Sequence, residues 1–226
     1  MMDRLATRPV FTVFLACLAL FILFPGIDPW FSGFFYTAEQ GFYLADHPLV
    51  RGIYQVFARM GMVVALGLGG YWAWRRFRRR DTAGPWQRII LFLVAVLVLA
   101  PGLVINGAFK ADSGRARPHQ VEAFGGVRHF SAFGQPAREC SRNCSFASGH
   151  AAMGFYFIAF AWLGRPRRWI LAGLVMGALV GLGRIMQGGH FLSDVVFAFW
   201  ATYFVAYFTA EFLLEPDSSG DVTVRD

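Results

Sequence analysis

A handful of polar residues interrupt an otherwise apolar sequence, and their types suit one reaction. Lys110, Arg117 and Arg184 supply three cations, two of them guanidiniums able to hold phosphate oxygens in a bidentate fork. Ser148 and Gly149 stand where an apolar segment begins, so a helix starting there turns free backbone N–H groups and its dipole toward an anion. His190 and Asp194 are four apart, one helical turn, and share a face. The carboxylate can accept a hydrogen bond from one ring nitrogen and leave the other as a nucleophile. His150 is then available as general acid for the leaving oxygen. The set suits phosphoryl transfer, which depends on positioning and charge stabilisation. Taken singly, each residue has a plainer reading. His190 can be an interfacial histidine after a Gly-Gly turn, Lys110 a snorkelling helix-end anchor, Ser148 a bare N-cap and His150 a packed bundle residue. Their common spacing favours function.

The elements that must position these residues are membrane spans. The chain has 226 residues, 56% hydrophobic and 15% charged, with a mean hydropathy of +0.46; a surface that apolar is covered by lipid. Six apolar segments stand out: Pro9 to Ile27, about Ile53 to Trp74, Ile89 to Phe109, about Ser148 to Gly164, Trp169 to about Gly183, and about Phe191 to Leu214. Each approaches the roughly 20 residues a helix needs to cross the hydrocarbon core, the fifth only if it runs through Arg184. The expected fold is therefore all-α, a polytopic membrane protein with six transmembrane helices in a single membrane-embedded domain over 1–226. The net charge of +7 is almost wholly arginine, Lys110 being the only lysine. Twelve of the 21 basic residues fall on the side of the two termini, among them Arg75, Arg76, Arg78, Arg79, Arg80, Arg165, Arg167 and Arg168. That side is expected to be cytoplasmic. Lys110, His150, Arg184, His190 and Asp194 then meet at the opposite, periplasmic face although they come from four helices. Polar groups at that depth tend to be paired and functional. The arginines are scattered in short runs with no long basic domain, which argues against nucleic acid as a partner.

Lys110-x6-Arg117-Pro118, Ser148-Gly149-His150 and Arg184-x5-His190-x3-Asp194 resemble the three-part signature of the type 2 phosphatidic acid phosphatase superfamily. The motifs span residues 110–194, and the six-helix layout extends the likeness to most of the chain. The resemblance implies a metal-independent lipid phosphatase without cofactors. His190 would attack phosphorus and form a phosphohistidine, Asp194 would orient it, and His150 would protonate the leaving group and later activate water. Lys110, Arg117, Arg184, Ser148 and the Gly149 backbone would hold the phosphate. Two positions depart from the family pattern: Ala147 replaces a frequent proline, and Gly183 a frequent serine. The first loosens preorganisation of the helix start and the second removes one phosphate hydrogen bond. A finer resemblance, carried by Pro101 to Asn106, Asn143 to Phe146 and Met186 to Phe191, is to the lipid A 4'-phosphatase subgroup of Gram-negative inner membranes. Undecaprenyl pyrophosphate or phosphatidylglycerophosphate phosphatases and lipid phosphotransferases would share these motifs. A non-catalytic lipid carrier is the rival of another class.

The remaining features read as supporting parts. The loop 110–147 is long enough to be functional or disordered, and the polar tail 215–226 is expected to be a flexible cytoplasmic end. Within the loop, Arg115, His119 and His129 read as solvated. Arg59, about six residues into the second segment, reads as snorkelling or paired within the bundle. Cys140 and Cys144 are either a disulfide pair or two thiols. The aromatic stretch from Trp30 to Tyr43 reads as an interfacial anchor. The first apolar run lacks a small-x-small site and is expected to stay as a membrane anchor.

Overall fold

The computed structural model describes residues 8–78 and 85–214; Arg4, Arg79, Arg80 and the tail 215–226 lie outside the described residues. Among those described, four helices are long and apolar enough to cross a membrane: Pro48–Arg78, Trp86–Phe109, Pro166–Met186 and Leu192–Leu213. A fifth span arises if the bent pair Pro9–Leu23 and Ile27–Gly33 counts as one.

The first apolar run forms α1 (Arg8–Leu23) and stops at Phe24-Pro25-Gly26, because proline removes a donor and disfavours helix in the residue before it. The chain turns by 82° into α2 (Ile27–Gly33). This helix has its polar face inward: Asp28 and Ser32 are buried while Trp30 and the following Phe34 are exposed. That polarity suits a segment lying at a membrane interface with its charge turned into the protein. A small hairpin, β1 (Tyr36–Thr37) paired antiparallel with β2 (Gly41–Phe42), leads to α3 (Pro48–Arg78). α3 exposes Val56, Met62, Val63 and Leu66 along its length, an apolar exterior that needs lipid.

The third apolar segment begins as α4 (Pro85–Leu97) and continues as a π-wound stretch, Val98–Phe109, containing Pro101. The proline lacks an N–H and upsets ordinary winding, and Asn106 returns a side-chain hydrogen bond to the Pro101 carbonyl. One further turn, α5 (Lys110–Asp112), carries Lys110. The fourth segment is short: α6 (Gly149–Phe155), then 3₁₀ winding over Tyr156–Trp162. Seven residues of each kind extend about 25 Å at their usual rises, so the tighter winding lengthens a brief stretch of chain. α7 (Pro166–Met186) and α8 (Leu192–Leu213) complete the bundle. α7 runs through Arg184, so the fifth segment has its full length.

α8 lies at the centre, packed on α1, α2, α4, α6 and α7. The main core joins Phe92, Val96, Ile105, Ile158, Val180, Ile185, Ala198 and Ala206. α6 and α7 meet backbone to backbone, since a Cβ on Gly154 would come within 2.6 Å of the Gly177 Cα. The connection after α5 is folded rather than loose. Its 3₁₀ turns Pro118–Gln120 and Glu122–Phe124 pack Val121 and Phe124 on Phe42 and Phe191. Cys140 and Cys144 are disulfide-bonded.

Candidate active site

The polar residues gather where α5, α6, the end of α7 and the start of α8 converge. Ser148 caps α6, its hydroxyl accepting from the Ala151 amide at 3.4 Å, while its own amide donates to the Asp194 carbonyl at 3.1 Å. The start of α6 is thereby fixed to the first turn of α8. Gly149 leaves room for Asn106, since a Cβ would lie 2.9 Å from Asn106 Oδ1 and displace that side chain. The next residue, His150, packs against Tyr54 of α3, with the ring centroids 4.7 Å apart and the planes tilted by 31°.

Three cations surround this helix start. Lys110 donates to Asn143 Oδ1 at 3.2 Å, and Arg117 donates through Nη2 to the Asn143 carbonyl at 2.9 Å. Asn143 has a left-handed backbone, φ 52°, a conformation asparagine tolerates better than most residues, and it sits within the Cys140–Cys144 loop. Arg184 lies over the Tyr54 ring at 4.7 Å and hydrogen-bonds Gln187. Its guanidinium also crosses Gly189 so closely that a Cβ there would meet Nη2 at 2.3 Å. Burial pushes Lys110 down to about 8, reinforced by the charges of Arg117 and Arg184. Burial likewise lowers Arg117. Among the described residues, no carboxylate forms an ion pair with these three cations, an arrangement suited to an anion.

His190 follows Gly188, which takes a positive φ of 62°, and is 1% exposed. Its Nδ1 stands 3.5 Å from Asp194 Oδ2, too long for a good hydrogen bond but within an ion-pair contact, and neither ring nitrogen has a hydrogen-bond partner. Burial lowers the ring to about 4 against the pull of Asp194, so it is neutral at physiological pH. His150 shares its electrostatic surroundings with Arg184, His190, Lys110 and Arg117. All eight residues singled out by spacing are thus brought together. Among the described residues, no group of three His, Cys, Asp or Glu is placed to hold a metal.

A cavity of about 390 Å³ carries Lys110, Gly149 and His150 at its polar end and descends between α3 and the π-wound stretch. Its wall includes Ala58, Gly61, Ala65 and Gly102, residues small enough to leave room for a chain. A larger apolar cavity of about 830 Å³ lies between α1 and α8, lined by Phe14, Phe109, Phe133, Phe197 and Trp200. It reaches Arg115 but neither Lys110 nor either site histidine, whereas the smaller cavity is lined by Lys110 and His150.

The PAP2 superfamily matches residues 88–215, which include every one of these motifs. The chain belongs to the PAP2 superfamily. It is 34% identical to a lipid A 4'-phosphatase of Francisella tularensis subsp. novicida (strain U112), over 85% of this chain and 91% of the relative. Its identity to a lipid A 4'-phosphatase of Rhizobium leguminosarum is 31%, over 88% and 91%. A lipid A 1-phosphatase of Rhizobium johnstonii (strain DSM 114642 / LMG 32736 / 3841) is 33% identical over 58% of this chain and 53% of its own length. No solved structure matches.

Three parts of this PAP2 site were not evident from the motifs. Arg115, expected to be solvated, is 3% exposed. It donates from Nη1 to Asp194 Oδ1 at 2.7 Å and from Nη2 to Asp28 Oδ2 at 2.7 Å, and two buried carboxylates draw it in. Asp28 belongs to no motif, yet it is the only acid between Asp3 and Glu39 in a strongly apolar stretch, a position that demands a partner. Ser145 hydrogen-bonds the other Asp194 oxygen, which also accepts from the Phe191 amide at 2.8 Å. His119 and His129 are exposed, as expected. Arg59 is exposed on α3 and reaches back toward the Gln55 carbonyl, the snorkelling arrangement. At Gly183, a Cβ would meet only Val50 Cγ1 at 3.8 Å, so packing does not account for the absence of serine.

Proposed function

We propose that this membrane enzyme removes a phosphomonoester from lipid A at the periplasmic face of the bacterial inner membrane, with the 4'-phosphate as its target. The observation that carries the reading is the convergence of the His190–Asp194 couple with Lys110, Arg117 and Arg184, beside a cavity that opens between two spans. A polar-ended, apolar-walled cleft fits a lipid headgroup with its acyl chains. The relatives support the choice of lipid: the likeness to the 4'-phosphatases extends over most of each chain, that to the 1-phosphatase over little more than half.

In this mechanism Lys110, Arg117, Arg184, the Ser148 hydroxyl and the Gly149 backbone hold the phosphate and spread its charge. The Nε2 lone pair of His190 forms a P–N bond as the bond from phosphorus to the lipid oxygen breaks. The departing electron pair goes to that oxygen, which takes a proton from His150, whose imidazolium form the bound phosphate dianion stabilises against the surrounding cations. Asp194 accepts from Nδ1–H and keeps the tautomer that leaves Nε2 free. His150 then takes a proton from water as the water attacks phosphorus, the P–N bond breaks, and inorganic phosphate leaves. PAP2 chemistry of this kind uses positioning and fixed charge throughout.

The finer topology belongs to the same reading. Six crossings result if α1 with α2 is one and α6 with its 3₁₀ extension another, placing both termini in the cytoplasm and residues 1–226 in one membrane-embedded domain. The arginine distribution supports this orientation. The Cys140–Cys144 pair supports an oxidising compartment on the site's side.

The test is mass spectrometry of total lipids from a lipid A-producing host expressing the wild type or His190→Ala. The expected result is a lipid A lighter by one phosphate with the wild type alone. An unchanged lipid A, or loss from another lipid class, overturns the substrate assignment. Loss in the His190→Ala strain overturns the mechanism.

A further inference from the structure

Behind the reacting histidine lies a chain of charges that the reaction as written does not use. Arg115 bridges Asp194 and Asp28 with contacts of 2.7 Å to each. Its Nε donates to the Ser131 carbonyl at 2.9 Å, and its guanidinium lies over Phe191 at 4.5 Å. Asp28 also accepts from the Ser193 amide at 2.8 Å and the Ser193 hydroxyl at 2.6 Å. Every one of its contacts is an accepted hydrogen bond, the pattern of an ionised carboxylate. Asp28, Ser193 and Asp194 are all 1% exposed or less.

A clamp between α2 and α8 would need only one carboxylate for its guanidinium. Burying a second costs desolvation that a single cation does not recover, and it leaves the chain one negative charge in excess. That excess has a use if His190 is the nucleophile. Its ring is neutral in the free enzyme, but attack through Nε2 with Nδ1–H retained makes it an imidazolium carrying the phosphoryl group. Arg115, Asp28, Asp194 and the imidazolium then sum to zero, while Lys110, Arg117 and Arg184 face the phosphoryl dianion with one positive charge to spare.

We propose that Arg115 and Asp28 are positioning residues for phosphoryl transfer: Arg115 fixes Asp194 so that its second oxygen faces His190, and Asp28 restores the surplus negative charge that the phosphorylated ring requires. The inference rests on the reading of His190 as nucleophile. Neither residue touches the substrate, so both act on turnover rather than on binding.

The test measures kcat, KM and thermal unfolding for the full-length protein in lipid A-containing micelles, as wild type, Asp28→Asn and Arg115→Lys. Asp28→Asn keeps size and most hydrogen bonds and deletes one charge. It is expected to lower kcat by about ten- to a hundredfold, the usual range for losing an outer partner of a reacting group, with KM and melting temperature unchanged. Arg115→Lys keeps the charge but cannot span both carboxylates, and is expected to lower kcat by a similar factor. Wild-type kcat in folded Asp28→Asn overturns the proposal. If Asp28→Asn does not fold, wild-type kcat in Arg115→Lys overturns it. A loss confined to KM also overturns it, since that marks a binding role. A wild-type protein that releases no phosphate overturns the underlying reading and the inference with it, whereas an active wild type with an unaffected Asp28→Asn overturns the inference alone.

Discussion

The two halves of the site are held in different ways. Around Asp194, the Arg115 guanidinium, the Ser145 hydroxyl and the Phe191 amide are all committed, and everything is buried. Around the cations, one residue, Asn143, accepts from both Lys110 and Arg117, and it stands in an exposed loop. The carboxylate beside His190 is thus fixed by its own partners, while the cations are tied only through one exposed residue. A site built this way separates turnover from affinity, and substitutions in each half should reveal it.

The largest effect is expected on the nucleophile side. His190→Ala and Asp194→Asn should each lower kcat by about 10⁴-fold, the scale seen when a catalytic imidazole or its orienting carboxylate is lost, with little change in KM. Steady-state phosphate release checks this, and an equal rise in KM would erase the distinction. On the cradle side, Arg117→Ala should raise KM by about 10- to 100-fold, as expected for a charge-assisted hydrogen bond of about 1.5–3 kcal/mol. Competitive inhibition by inorganic phosphate should weaken in parallel.

A smaller effect follows from Lys110. Because its ammonium titrates near 8 in the free enzyme, it is charged below that pH and loses its proton above it. The kcat/KM, which reports free-enzyme ionisations, should therefore fall as pH rises through about 8. Lys110→Arg, with a side chain that stays protonated, should move that limb upward; an unmoved limb would assign it to another group. Smallest of all, Cys144→Ser or a reductant should raise KM a few-fold through release of Asn143 and leave kcat alone, again by steady-state kinetics. A fall in kcat would mean that the disulfide supports the nucleophile side instead.

The same division explains what the sequence reveals. Lys110, Ser148, Gly149, His150, Arg184, His190 and Asp194 sit at the ends of apolar segments, so hydropathy alone brings them to one face, and Arg117 follows from its spacing after Lys110. The spans at 86–109 and 192–213 follow from charge-free or nearly charge-free runs. Arg115 could not be read this way, because its partners Asp28 and Asp194 are 87 and 79 residues distant and burial, not spacing, pairs them. The break after Leu23 is marked by Pro25-Gly26, but its 82° angle and the 3₁₀ winding of 156–162 were hidden, for these depend on packing against α8 and α7.

The glycine contact between α6 and α7 has a mechanical side. With Gly154 against the Gly177 backbone, and Gly177 and Gly173 seating the side chains of Phe155 and Ile158, the two helices meet closely and form one stiff slab bearing both His150 and Arg184. Any widening of the cleft to admit a bulky headgroup must therefore come from the opposite wall, α3, which is mostly clad in lipid-facing side chains. The wall that can yield is the exposed one, and the rigid wall carries His150 and Arg184.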